Sequence, residues 1–69
     1  MARRIQHTVL NREFRTQQEA ETFALEESNY REGEIYVVRN SGLFFADQQR
    51  YLDPWELLIG IWQNGVRIR

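Results

Sequence analysis

The side chains able to do acid–base, nucleophilic or metal chemistry are few in this sequence, and they are isolated from one another. His7 is the only histidine and there is no cysteine. Zinc sites are built from three or four His, Cys or carboxylate ligands, so a lone imidazole carries no metal reading. Ser28 and Ser41 have no histidine at a spacing that would activate a hydroxyl, and no glycine-rich phosphate loop is present. Asp53 and Glu56 have the spacing of a helix cap. A chain of 69 residues also has little volume for a ligand pocket of the usual ~300 Å³ or more. These features predict a non-enzymatic protein that uses no cofactor and no metal.

Recognition chemistry is better represented. All nine positive charges are arginine, and lysine is absent. A guanidinium offers a planar fork to carboxylates and phosphates and stacks on rings. The charge is unevenly laid out. Residues 1–15 carry four Arg and one Glu, net +3, whereas residues 16–34 carry six Glu and one Arg, net −5. If the first and last strands pair, Arg3, Arg4, Arg67 and Arg69 converge at one corner, able to hold phosphates or an acidic protein surface. The same arginines would also guard a sheet edge against aggregation. Nine aromatic side chains are enough to fill a small core with some left over. Tyr36 and Phe44 are the two expected on an open sheet face, with Phe45 and either Ile35 or Val37 turned inward.

Two function classes follow. The first is a protein-binding module, an adaptor or inhibitor docking on a larger macromolecule, of the kind frequent in phages and mobile elements. The alternative is a nucleic-acid binder using the arginine cluster and the open sheet face, against which the net charge of −1 counts. A protein partner is therefore expected first. A homodimer is a second route to stability at this length. No run of ~20 apolar residues predicts a membrane span. Arg3 and Arg4 are followed by no apolar region of a signal peptide, so a cytoplasmic location is expected.

The elements that must position these residues read as one α+β domain over residues 1–69. Residues 3–10 alternate as a strand, followed by a turn at Asn11-Arg12 or a loop. Thr16 and Glu19 form a capping box for a helix running to about Ser28, with Ala20, Phe23, Ala24 and Glu27 on one stripe. Residues 34–39 and 43–46 are strands around a turn at Asn40-Ser41-Gly42. The stretch Asp53 to Gly65 reads as a second helix: Asp53 caps it, Pro54 opens it and Asn64-Gly65 stops it. Trp55, Leu58, Ile59 and Trp62 would form its apolar stripe. Residues 66–69 end the chain as a strand. The order βαββαβ predicts a ferredoxin-like fold, two helices on one face of a four-stranded antiparallel sheet ordered 4-1-3-2. The alternative is a three-stranded sheet with an N-terminal hairpin at residues 4–15 plus two helices.

Overall fold

The computed structural model describes residues 10–69. Its elements are β1 (Asn11–Phe14), α1 (Gln17–Glu27), β2 (Ile35–Asn40), β3 (Leu43–Gln48), β4 (Leu57–Gln63) and β5 (Val66–Arg67). The five strands form one antiparallel sheet in the order β1-β3-β2-β4-β5. One helix on five strands replaces both expected architectures, the four-stranded ferredoxin-like sheet with two helices and the three-stranded alternative. The strand expected at residues 3–10 lies outside the described residues except for buried Leu10. Asn11 and Arg12 are the start of β1 and not a turn.

The largest departure is the two-tryptophan stretch, which is a strand where a second helix was expected. Its apolar run suits either period, but the details favour a sheet. Ile59, Ile61 and Trp62 are strand-favouring types, and Gly60 would weaken a helix interior. Asn64 and Gly65 take φ of 55° and 79°, the left-handed pair of a two-residue hairpin turn, and join β4 to β5. Gly60 has a packing role in the strand. A Cβ there would sit 2.9 Å from the Trp62 ring and 3.0 Å from the Arg67 guanidinium. Its absence lets both lie flat over β4.

Helix α1 forms as its capping signal predicts. The Thr16 hydroxyl accepts the Glu19 backbone N–H at 3.2 Å. Ala20 and Ala24 are fully buried, so the helix approaches the sheet closely. Beneath them lie Ile35, Val37, Ala46 and Trp62, with Phe14, Phe23, Phe44 and Ile59 around the margin. The end of α1 is tied to the β4–β5 hairpin. The buried Ser28 hydroxyl donates to the Leu25 carbonyl and accepts the Gly65 N–H, both at 2.8 Å.

This packing sets the phase of the sheet. Ala46 pairs with Val37 and is the small residue that close approach of α1 requires. Side chains alternate with a period of two, so Phe44 joins the helix-side core and Phe45 points to the other face. The expected assignment of Phe44 to the open face and Phe45 to the helix side is therefore reversed. Tyr36 does face away from the helix. That second face is not bare, for Val38 and Ile61 on it are buried.

Candidate binding site

Residues 49–56, which connect β3 to β4, are fixed by one guanidinium. Arg50 donates through Nε to Asp47 Oδ2 at 2.6 Å, and through Nη1 and Nη2 to the two carboxylate oxygens of Glu56 at 2.8 and 3.0 Å. Nη1 also donates to the Tyr51 carbonyl at 3.1 Å. Fork-to-fork pairing of this kind is both strong and geometrically selective. The far end of the loop is a tight turn, with Pro54 in its favoured second position. The Glu56 N–H donates to the Asp53 carbonyl at 3.0 Å, and the Asp53 N–H donates to Glu56 Oε1 at 2.9 Å. Of the helix cap read from sequence, the reach of the Glu56 side chain back to the Asp53 N–H is present, but the Glu56 N–H is taken by the Asp53 backbone carbonyl, closing one turn, and no helix follows.

The clasp lies mostly out of water. The Asp47 and Glu56 side chains are 8% and 6% exposed, and Arg50 is 32% exposed. Hydrogen bonds from Arg50, then the Asp53 N–H, lower the Glu56 carboxyl to about 2. The same carboxylates push Arg50 further up. Glu56 and Arg50 stay ionised across the physiological range, so their pairing holds the loop by permanent charge.

What the clasp presents is aromatic. Tyr51 is 99% exposed and Trp55 67% exposed. Tyr36, Gln49, Arg50 and Tyr51 line a shallow depression of about 330 Å³ beside them. Among the described residues no three His, Asp or Glu side chains gather as a metal site. No helix among them is long and apolar enough to cross a membrane.

The residues singled out from sequence are distributed differently. Tyr36 lies at the edge of this loop. Phe44 is in the helix-side core, with the Arg39 guanidinium 6.0 Å from its ring centroid. Arg67 and Arg69 follow β4, at the end of the described sheet farthest from β1, where Val66 and Arg67 pair with β4; the expected pairing of the last strand with residues 3–10 lies outside the described residues. Arg3 and Arg4 lie outside the described residues, and the expected four-arginine corner lies outside them as well. Arg67 is engaged by its own chain. It donates to the Arg69 and Ile59 carbonyls, each at 2.9 Å, and lies 5.1 Å from the Trp62 ring centroid.

Tyr51 and Trp55 were not legible as site residues. Trp55 was expected in the core because its spacing to Trp62 matches a helix. The one available signal was Asp-Pro-Trp-Glu read as a turn, which would have put Trp55 at its tip. No protein-family model, curated protein or solved structure matches the chain.

Proposed function

We propose that this chain is a non-catalytic protein-binding module that docks through residues 49–56. The observation that carries the reading is the exposure of Tyr51 and Trp55 on a loop already held by Arg50, Asp47 and Glu56. Tyr and Trp dominate the energetic centres of protein interfaces. Exposed aromatics on a rigid support bind with less loss of conformational freedom than the same side chains on a mobile loop. Neutralisation of the Arg50 charge by two carboxylates leaves the loop without the excess of positive charge that phosphate recognition uses.

The test is affinity capture from a lysate of the cells that produce the protein, with nuclease present. Wild type is compared with a Tyr51→Ser, Trp55→Ser double variant. Both side chains are exposed, so the two proteins should melt alike. Truncating an interface centre costs about 2 kcal/mol or more, so the variant should lose the captured protein almost completely. Capture that survives in the variant, or that disappears with nuclease in the wild type, would contradict the reading.

A further inference from the structure

A second surface lies along the flank of α1 beside β1 and shares no residue with the clasped loop. Phe14, Thr16, Gln18, Glu19, Thr22, Phe23 and Glu26 surround a groove of about 460 Å³. Its floor is the Phe14–Phe23 pair, with ring centroids 5.3 Å apart and planes tilted by 42°. Glu19, Thr22, Phe23 and Glu26 fall at i, i+3, i+4 and i+7, so they form one stripe along the helix. The two glutamates stand at the ends of that stripe with the aromatic floor between them.

The two rim glutamates differ from their acidic neighbours on α1. Glu27 is paired with Arg31 at 2.9 Å, and Glu21 accepts from Gln17 at 2.6 Å. Glu19 and Glu26 have no ion pair among the described residues. They belong to the segment of net charge −5, which repels acidic partners, nucleic acid included. The Arg12 guanidinium lies 4.9 Å from the Phe23 centroid and 5.6 Å from that of Phe14, so this chain's own cation serves the rings, and Arg12 is not among the residues that line the groove.

We infer that this groove is a docking site for an extended peptide carrying an apolar side chain between two basic ones. Seven residues of helix separate Glu19 from Glu26, a rise of about 10 Å at 1.5 Å per residue. An extended peptide in the polyproline II form rises about 3.1 Å per residue with about three residues per turn, so residues i and i+3 share one face about 9 Å apart. The complementary motif is therefore basic–x–x–basic with an apolar residue inside it. The apolar side chain meets the Phe14–Phe23 floor while the two cations meet the glutamates. This site is separate from the clasped loop and does not depend on it.

The probes are two fluorescein-labelled peptides, Gly-Ser-Arg-Leu-Phe-Arg-Ser-Gly and its twin with both arginines replaced by glutamate. Fluorescence anisotropy is followed as full-length protein is added. The arginine peptide should bind and the glutamate twin should not. A Glu19→Lys, Glu26→Lys variant should lose at least about tenfold in affinity for the arginine peptide, as expected when complementary charges become repulsive. A Glu19→Gln, Glu26→Gln variant, with less disturbance of the first helical turn, should fall between. The Tyr51→Ser, Trp55→Ser variant should bind the peptide as wild type does. Failure of the arginine peptide to bind, equal binding of the two peptides, or affinity unaltered by charge reversal would overturn the inference. Loss of peptide binding in the Tyr51→Ser, Trp55→Ser variant would move the site to the loop and overturn it equally.

Discussion

Trp62→Ala should unfold the protein or leave it close to unfolding at room temperature. Trp62 is 3% exposed and sits in the helix-side core beside Ile35, its partner across β2 and β4. Removing a large buried aromatic costs about 3–5 kcal/mol, because the transfer energy is lost and the hole does not collapse fully. A domain of this size has a total stability of that same order. The loss extends beyond the indole, since Arg67 stacks on the ring while donating to the Ile59 and Arg69 carbonyls. Trp55→Ala is the internal comparison. Trp55 is as large but exposed, so its removal should change the urea midpoint little. Under a helical reading both tryptophans would share one buried stripe and both substitutions would be severe. Equilibrium urea unfolding of the two variants, followed by far-UV circular dichroism, separates the alternatives. Similar losses in the two would restore the helix.

Arg50→Met should be the most damaging change in the loop, at about 3 kcal/mol. That is the low end for breaking a buried ion pair, appropriate because Arg50 is partly exposed while its two carboxylate partners are nearly covered. The variant leaves Asp47 and Glu56 close together, dehydrated and without a cation. Their mutual repulsion adds to the lost hydrogen bonds.

The pH dependence follows from the direction of the Glu56 shift. Its folded carboxyl is held at about 2, below the ordinary 4.5, first by the Arg50 hydrogen bonds and then by the Asp53 N–H. A carboxyl depressed on folding contributes stability that is complete above its unfolded value and is lost as pH falls through its folded one. The wild type should therefore weaken between about pH 4.5 and pH 2, by on the order of 2 kcal/mol after allowance for nearby solvent. The variant lacks that contribution at neutral pH. Its deficit should be widest near pH 7 and should narrow as Glu56 protonates. Urea midpoints of both proteins across this range give the comparison. A gap that stays constant down to about pH 2 would mean that the clasp does not hold Glu56.

The elements that the sequence disclosed are those whose local signals admit one reading. The β2–β3 hairpin was legible because residues 35–38 are β-branched or aromatic and Ser41-Gly42 follows. The turn takes φ of 56° and 80°. Helix α1 was legible from the Thr16 cap and from two alanines at helical spacing on the stripe with Phe23. The stretch from Asp53 to Gly65 carries signals with two meanings. Asp-Pro-x-Glu starts helices and also closes isolated turns, and Asn-Gly ends helices and also turns hairpins. Which meaning prevails is decided by partners distant in sequence. β2 supplies a ladder on one side of β4 and β5 on the other. Gly60 was the residue that should have weighed against a helix.

The site was harder to read for a related reason. Asp47, Arg50 and Glu56 have no periodic spacing that marks them as one unit, and only the fold of the connection brings both carboxylates to one guanidinium. Without that clasp, nothing in the sequence says that Trp55 is displayed and Trp62 buried. Tyr36 was placed on the correct face from alternation alone. Phe44 was not, because the phase of β3 is set by where Ala46 must sit under α1.

Tyr51 and Trp55 are proposed as the contact surface for a protein partner. Site-specific photocrosslinking tests that assignment most directly. A benzoylphenylalanine is placed at Tyr51, at Trp55, or at Tyr30, which is also exposed but lies beyond the end of α1. Each protein is irradiated in lysate from the cells that produce it. One crosslinked protein is expected, shared by the probes at Tyr51 and Trp55 and absent with the probe at Tyr30. A crosslink from Tyr30 with none from the loop would contradict it.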